Sequence, residues 1–322
     1  MVLPSFLAFN SPMTRPTLVI AGAGGVVGRH LVVAARERYA VTVLTRSVDG
    51  DEPAGTRPVA WQPKAAKEGN EDALNDLAEV LDGAYAVVNL AGASIDDGRM
   101  DEQHKKRVLE SRVDSTNTLV AAFERTENPP PAWFNASAVG YYGTRGDEIL
   151  TEESAPQNSF FLSKVSQAWE EAARQVKDKT RLMIGRLGLV LAKDAPAWEQ
   201  FKLPIKLFVG GPLGDGQQWY AWIDADDLAR AVLFLLENDT AQGVYNFTAP
   251  EPVQQITLTR RAAEKMGRPA FVPAPAFALQ TILGGLADAL LLPSARALPT
   301  RLEEAGFTFN RPTIEAEMDK LF

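Results

Sequence analysis

The chain contains no cysteine and only two histidines among its 322 residues. The absence of cysteine excludes disulfides, thiolate catalysis and cysteine-based metal sites, and it is typical of a cytoplasmic protein. The two histidines, His30 and His104, lie far apart in the sequence, and neither has a neighbour at metal-ligand spacing. We therefore expect no metal site and assign both histidines to packing or surface roles.

The sequence also has no long hydrophobic run. The most apolar late segment, residues 282–292, is too short to span a bilayer and contains Asp288. The first residues lack the basic start and the small-residue cleavage site of a secretory signal. We expect residues 1–16 to be an N-terminal extension, with translation starting at Met1 or Met13. These features indicate a cytoplasmic protein with no membrane segment.

Basic residues are fewer than acidic ones, 33 against 41, which gives a net charge of −8 and a pI near 5.0. This balance argues against nucleic acid or an anionic membrane as a main partner. Hydrophobic content of 46% and charged content of 23% are ordinary for a globular protein. The expected partner is therefore a small-molecule substrate.

A glycine-rich turn follows the first apolar run, residues 17–21, and its sequence is Gly22-Ala23-Gly24-Gly25-Val26-Val27-Gly28. Gly22 can make the tight turn, Gly25 lets the backbone approach a pyrophosphate, and Gly28 lets a helix pack close to the strand. The N-terminus of that helix would offer free N–H groups to the phosphates. Because a strand precedes the turn and a helix follows it, the pattern favours dinucleotide binding over a purely steric role for the glycines.

Strand-like and helix-like segments alternate along most of the chain. Near-continuous apolar strands in such an alternation predict a parallel sheet covered by helices on both faces. We expect an α/β fold, with a doubly wound parallel sheet (Rossmann) and substrate-lobe insertions over residues 17–248. A smaller mixed C-terminal lobe follows, helical over residues 249–322. The expected strands are 17–21, 41–45, 85–90, 132–136, 181–187 and 244–247, and the expected helices are 27–38, 71–81, 102–125, 160–177, 226–237, 257–266 and 277–291.

The end of the second strand bears on the choice of cofactor. An NAD site usually places Asp or Glu about twenty residues beyond the glycines, where it binds the ribose 2′-OH. Here Thr45 and Arg46 end the strand, and no acidic residue comes before Asp49. Arg46 can pair with a 2′-phosphate, although a solvated arginine at a strand end is the alternative. We expect NADP as the cofactor, with NAD less favoured.

Other strand ends carry residues of interest. Arg186 ends a strand and is expected to face the substrate region, whereas Asp226 and Asp227 are expected to cap the helix that they begin. Small residues at a carboxyl edge let a ligand lie against the backbone, although an ordinary strand-to-loop turn is the alternative. The run in question is Asn89-Leu90-Ala91-Gly92.

Together these segments resemble the extended short-chain dehydrogenase/reductase superfamily. The resemblance rests on the glycine turn, the Asn89-Leu90-Ala91-Gly92 run, Ser137 at a strand end, and Asp226-Asp227-Leu228-Ala229. More narrowly, residues 135–143, 210–219 and 305–307 resemble nucleotide-sugar epimerase-like proteins. That subfamily carries a C-terminal domain of unknown function, here residues 249–322. The resemblance implies a Rossmann fold and a pyridine nucleotide cofactor.

In that superfamily, catalysis uses a Ser, a Tyr and a Lys, the last two spaced Y-x-x-x-K on one helix. A free tyrosine has a pKa of about 10, so it needs nearby positive charge to act as a base near neutral pH. The resemblance places Ser137 where it would bind the substrate oxygen. It places Lys164 where it would also hold the nicotinamide ribose. Phe160 stands at the tyrosine position and cannot exchange a proton.

Two hypotheses follow from Phe160. In one, Tyr141 or Tyr142 supplies the missing hydroxyl, and the chain is an NADP-dependent oxidoreductase or epimerase acting on a small polar or nucleotide-linked substrate. In the other, the protein binds NADP(H) without turnover and acts as a regulator or sensor. Both tyrosines could instead be aromatic packing, and Lys164 a solvated helix lysine. Superfamily relatives often pair through the two long helices, so a homodimer is a further hypothesis.

Overall fold

Strands and helices alternate along the first part of the protein. The structure, a computed structural model, describes residues 15–50 and 52–322. Residues 1–14, which include both candidate start methionines, lie outside the described residues. The first twelve elements are β1 (Thr17–Ala21), α1 (Val26–Ala35), β2 (Ala40–Thr45), β3 (Arg57–Ala60), α2 (Ala65–Glu68), α3 (Glu71–Leu81), β4 (Ala86–Asn89), α4 (Glu102–Phe123), β5 (Ala132–Ala138), β6 (Ile149–Leu150), α5 (Phe161–Arg174) and β7 (Arg181–Leu187).

Shorter strands enter in the second part. Its elements are β8 (Leu189–Leu191), α6 (Pro196–Lys206), β9 (Trp219–Tyr220), β10 (Trp222–Asp224), α7 (Ala225–Glu237), β11 (Gly243–Phe247), β12 (Val253–Gln254), α8 (Gln255–Met266), α9 (Ala276–Leu283), β13 (Arg296–Ala297), α10 (Thr300–Glu304) and α11 (Ile314–Leu321). None of the helices that the structure describes combines the length and the apolar composition needed to cross a membrane.

Seven strands form one sheet in the order β11-β7-β5-β4-β1-β2-β3, and every neighbouring pair is parallel. The chain runs outward from β1 in one direction through β2 and β3, and then in the other direction from β4. The point between β1 and β4 is where open α/β sheets bind ligands, at the carboxyl ends of the strands. The expected doubly wound parallel sheet, with a smaller mixed C-terminal lobe, is confirmed.

Alternate residues of β1 supply the two cores of the sheet. Leu18 and Ile20 pack on one face with residues of α1 and α7. Val19 and Ala21 pack on the other face with residues of α3 and α4. All four side chains are fully buried. A strand covered on both faces reads as a continuous apolar run, which is why the sequence predicts β1 correctly.

The stretch after Arg46 differs from expectation. No strand or helix is expected between residues 46 and 70, yet the stretch contains β3 and the short helix α2. β3 includes Pro58, which lacks a backbone N–H and is therefore confined to the edge of a sheet. β3 is the edge strand next to β2. Proline makes such a strand hard to recognise from sequence.

The C-terminal lobe is assembled from both sides of residue 248. β12 pairs with β9, and β13 pairs with β6, so strands from the sheet domain complete two of the small sheets. The helix expected over residues 277–291 is interrupted, because α9 ends before Gly284, whose φ is 58°. A π-helical turn, Ala287–Leu291, follows.

The cap of α7 also differs from expectation. Asp224 is the cap, since its carboxylate accepts a hydrogen bond from the backbone N–H of Asp227 at 3.0 Å. Asp227 is itself buried, and its carboxylate accepts from the N–H groups of Asn310 and Arg311, at 3.0 and 2.7 Å. Asp227 therefore fastens the C-terminal segment to α7 and does not cap the helix. Asp226 is partly exposed and pairs with Lys320 at 2.7 Å.

Glu317 of α11 is fully buried. Burial, followed by the neighbouring Asp224 carboxylate, raises the pKa of Glu317 to about 9. The folded protein therefore keeps a proton on Glu317 at neutral pH, whereas the unfolded chain, with an ordinary pKa of 4.5, loses it. The free energy of unfolding should fall as pH rises from about 5 to about 9.

We predict that Glu317→Gln removes this fall, because glutamine imitates the protonated carboxyl at every pH. The variant should exceed the parent in free energy of unfolding by about 4–5 kcal/mol at pH 8, with little difference near pH 5. Urea unfolding across that pH range measures the effect. The control is Glu315→Gln, an exposed acid of the same helix. An unchanged pH slope in Glu317→Gln would contradict the prediction.

Candidate active site

A cavity of about 320 Å³ opens at the carboxyl ends of β1, β4, β5 and β7. Its walls are mostly apolar, and the few polar side chains among them are Arg112, Ser137 and Ser166. No group of three or more His, Asp and Glu residues in the described parts of the chain could hold a metal ion. The lining residues are Gly22, Gly25, Val26, Val27, Gly28, Leu90, Ile95, Arg112, Ala136, Ser137, Ala138, Leu162, Val165, Ser166, Trp169, Leu187, Gly188 and Val190.

The glycine turn forms the floor of the cavity. Gly22 has φ of 86°, and a Cβ there would lie 2.7 Å from the carbonyl carbon of Leu90. A Cβ on Gly28 would lie 2.5 Å from the Cα of Ala23. Both positions thus require glycine for close packing of backbone. At Gly25 a Cβ would meet nothing nearer than 3.6 Å, so this glycine borders open space.

The N-terminus of α1 is open toward this space. The helix has no side-chain cap and no acidic residue in its first turn. The first N–H groups of a helix have no partner within the helix, so those of Val26, Val27 and Gly28 are available to an anion. Gly24, also in the turn, is exposed, and a Cβ at this position would have no neighbour within 4 Å. These features fit the diphosphate of a dinucleotide.

The run after β4 has a structural role at its first residue. Asn89 is fully buried, and its amide donates to Thr116 Oγ1 at 2.9 Å and to Asn135 Oδ1 at 2.7 Å. Its side-chain oxygen, Oδ1, accepts a hydrogen bond from the backbone N–H of Ala91 at 3.1 Å. Asn89 therefore fixes the end of the strand, and the following Leu90 reaches the cavity. Ala91 and Gly92 do not line it.

Ser137 is the second-last residue of β5, lies in the cavity wall and is 2% exposed. Its Oγ lies 2.8 Å from Oε1 of Glu170. A carboxylate can only accept hydrogen bonds, so Ser137 donates its proton to Glu170. The lone pairs of Ser137 remain for a group in the cavity. Sequence reasoning missed Glu170, because nothing in the sequence indicates which helix acid meets Ser137.

Arg186 does not face the substrate region. It is buried, and its Nε and Nη2 donate to the two oxygens of Glu170, at 2.8 and 3.1 Å. Burial alone would lower the pKa of Arg186, but the hydrogen bonds and charge of Glu170 outweigh burial and raise it above its ordinary value. Arg174 also donates to Glu170, at 2.8 Å. Three side chains thus hold this buried carboxylate.

The two candidate tyrosines, Tyr141 and Tyr142, both contact Arg186 of this ion pair. Tyr142 is fully buried; its hydroxyl donates to Asn246 Oδ1 at 2.7 Å and accepts from Arg186 at 3.0 Å. Burial raises the pKa of Tyr142 to about 12. Tyr141 packs its ring against the Arg186 guanidinium, 3.4 Å from the ring centroid. Neither tyrosine is among the described residues that line the cavity, and the side chain that Ser137 bonds is Glu170.

The expected lysine also lies elsewhere. Lys164 is exposed, whereas the residues of α5 that line the cavity are Leu162, Val165, Ser166 and Trp169. At 3.6 residues per turn, Lys164 lies about 200° around the helix from Leu162. The pair with four-residue spacing that faces the cavity is Leu162 and Ser166, not Phe160 and Lys164. The i, i+3, i+4, i+7 pattern of those four residues was the available signal.

Two models of known protein families match this chain. A model of the NAD dependent epimerase/dehydratase family matches residues 18–247. The chain belongs to this family. A second model, of a domain of unknown function (DUF1731), matches residues 274–320. The resemblance seen in the sequence is thereby confirmed.

Relatives and solved structures are similar over nearly the whole chain. An epimerase family protein of Staphylococcus epidermidis is 36% identical over 94% of this chain and 98% of its own length. A human epimerase family protein, SDR39U1 isoform 2, solved with NADPH, has a TM-score of 0.83 and 29% identity, covering 95% of this chain and 98% of its own. The nucleoside-diphosphate sugar epimerase of Corynebacterium glutamicum has a TM-score of 0.73 and 31% identity, covering 96% of this chain and 58% of that one.

We predict that Glu170→Gln destabilises the fold strongly, because Arg186 would stay buried with no carboxylate partner. The free energy of unfolding should fall by about 3–5 kcal/mol. The matched control is Arg174→Gln, which removes the more exposed partner and should cost about 1 kcal/mol or less. Urea unfolding of both variants is the measurement, and equal losses would show that Arg186 does not depend on this pair.

Proposed function

We propose that the protein is an NADP(H)-dependent oxidoreductase or epimerase that acts on a small polar or nucleotide-linked substrate. The observation that carries the proposal is the open, uncapped N-terminus of α1 beside Gly25. It is supported by the human relative, which was solved with NADPH. NADP(H), when bound, supplies or accepts a hydride at its nicotinamide ring.

Arg46 would select the phosphorylated cofactor. It is exposed and directly follows β2, the strand beside β1. A guanidinium there can hold the 2′-phosphate with paired hydrogen bonds. Thr45 donates its own hydroxyl to the carbonyl of Ser47 at 2.7 Å, which fixes the backbone around Arg46. The adenosine half of the cofactor would therefore lie toward β2, and the other half would enter the cavity.

Ser137 would position the substrate. Its proton is committed to Glu170, so its oxygen can accept a hydrogen bond from a substrate hydroxyl. The surrounding wall is mostly apolar, and a hydrogen bond is stronger in such surroundings than in water. Ser137 thus orients a hydroxyl-bearing carbon, while Glu170 and Arg186 keep the serine in place.

We predict that Arg46→Ala weakens NADPH binding roughly 10- to 100-fold, because a charge-assisted pair with the 2′-phosphate is lost. NADH binding should stay the same, since NADH lacks that phosphate. Titration calorimetry with both nucleotides is the measurement. Arg36→Ala, an exposed arginine at the opposite end of α1, is the control and should alter neither affinity. An equal loss for NADPH and NADH would refute the assignment of Arg46.

A second function, NADP(H) binding without turnover, is favoured by one observation. Among the described residues that line the cavity there is no tyrosine and no lysine. A positioned acid or base contributes about 10²- to 10⁴-fold to a rate. A chain without one can bind cofactor and substrate yet react slowly, as a regulator or sensor would. Turnover of NADPH with carbonyl compounds and nucleotide sugars separates the two functions.

We predict that the double variant Leu162→Tyr, Ser166→Lys accelerates NADPH oxidation by a carbonyl substrate at least about 100-fold. It restores a phenol and an ammonium group at the two cavity-facing positions. The control is Phe160→Tyr, which creates the Y-x-x-x-K spacing with Lys164. Its rate should not rise, because neither position lines the cavity. Initial rates measured by NADPH absorbance decide the matter. A higher rate in Phe160→Tyr, with no higher rate in the double variant, would show that Leu162 and Ser166 are not the positions that face the substrate.

A further inference from the structure

We propose that Arg112 makes the cavity bind NADPH more tightly than NADP⁺. The inference rests on the proposed NADP(H) function and concerns which redox form the protein retains. Its basis is a charged side chain in the cavity wall that has no acidic partner among the described residues.

Arg112 projects from α4 into the cavity wall. Its Nη1 donates to the carbonyl oxygens of Ala93 and Val108, both at 3.0 Å. Its guanidinium lies over the Trp169 ring, 5.1 Å from the centroid. A Cβ on Gly92 would come within 3.1 Å of the arginine side chain, so glycine at that position gives it room. These contacts hold the guanidinium in one place.

The charge of Arg112 is not balanced locally. Within residues 15–50 and 52–322, no carboxylate lies within ion-pair distance of Arg112. In the same residues its guanidinium donates hydrogen bonds from Nη1 alone. Arg186, by contrast, has both oxygens of Glu170. Burial lowers the pKa of Arg112 to about 10, which still leaves it protonated at neutral pH. The cavity therefore carries a fixed positive charge.

The position of the cavity decides which part of the cofactor meets this charge. The adenosine half would lie toward Arg46, which directly follows β2, on one side of the glycine turn. The cavity extends from the glycine turn to the other side, along the carboxyl ends of β4, β5 and β7. The nicotinamide half would therefore enter the cavity that Arg112 lines. Phosphates and riboses are common to both redox forms, so their attraction to Arg112 cancels in the ratio of the two affinities.

The remaining difference is the charge of the ring. The nicotinamide ring of NADP⁺ is positively charged, and that of NADPH is neutral. A second positive charge within about 10 Å, at an effective dielectric constant of about 20, disfavours the oxidised form by roughly tenfold in affinity. The mostly apolar walls of the cavity lower the local dielectric constant below that of water, which keeps the repulsion effective. Arg112 thus biases the site toward the reduced cofactor.

The test is titration calorimetry of the full chain with NADPH and with NADP⁺, in parallel. The wild type should bind NADPH about tenfold more tightly or better. Arg112→Met, which keeps the packing on Trp169 without the charge, should bring the two affinities within about threefold of each other. Arg112→Lys keeps the charge and should keep the preference. Lys164→Gln removes an exposed charge outside the cavity and should leave the ratio unchanged.

The outcomes separate this inference from the proposed function. If the wild type binds both forms equally, or if Arg112→Met keeps the full preference, the inference fails while NADP(H) binding stands. Loss of the preference in Arg112→Lys, or in Lys164→Gln, would also overturn it. If neither nucleotide binds, the proposed function itself fails. Should Arg112→Met not fold, as thermal melting would show, the wild-type ratio and Arg112→Lys still decide.

Discussion

The buried ion pair between Glu170 and Arg186 is the interaction on which the site depends. It joins α5 to β7, and through Ser137 it also reaches the end of β5. Removing two charges from water is costly, and the attraction compensates only when both groups keep full hydrogen bonding. Here the carboxylate receives four donated bonds, from Ser137, Arg174 and two nitrogens of Arg186. The helix cannot rotate or slide without breaking them.

This constraint fixes the face that α5 turns to the cavity. With Glu170 directed at Ser137, residues one and two turns earlier must face the same way, and these are Ser166 and Leu162. Lys164 is then necessarily directed to solvent. The position of the Lys164 amine outside the cavity is therefore a property of helix phase, whereas the missing phenol is a property of the sequence, since α5 contains no tyrosine.

The sequence predicts most of the fold but only part of the site. The glycine turn is recognisable because its role depends on backbone and on neighbours close in the chain, and Ser137 is recognisable through the family resemblance. The direction of a helix side chain instead depends on tertiary contacts, so matching Phe160 and Lys164 to Y-x-x-x-K selected positions outside the cavity. β3 was missed because Pro58 resembles a loop residue, and Glu170 was missed because its partners come from three different elements.

Among the described residues, the cavity is lined by an arginine, Arg112, and by no lysine. A lysine responds strongly to burial, so its charge can be tuned for proton transfer, whereas an arginine stays protonated in almost any protein environment. In this cavity the positive charge comes from α4, as a guanidinium fixed on Trp169 and two carbonyl groups. Such a group cannot relay protons, but it can set the charge preference of what binds. Under the proposed function, the described cavity residues therefore supply a fixed positive charge that bears on cofactor binding, and none of them is a lysine or a tyrosine.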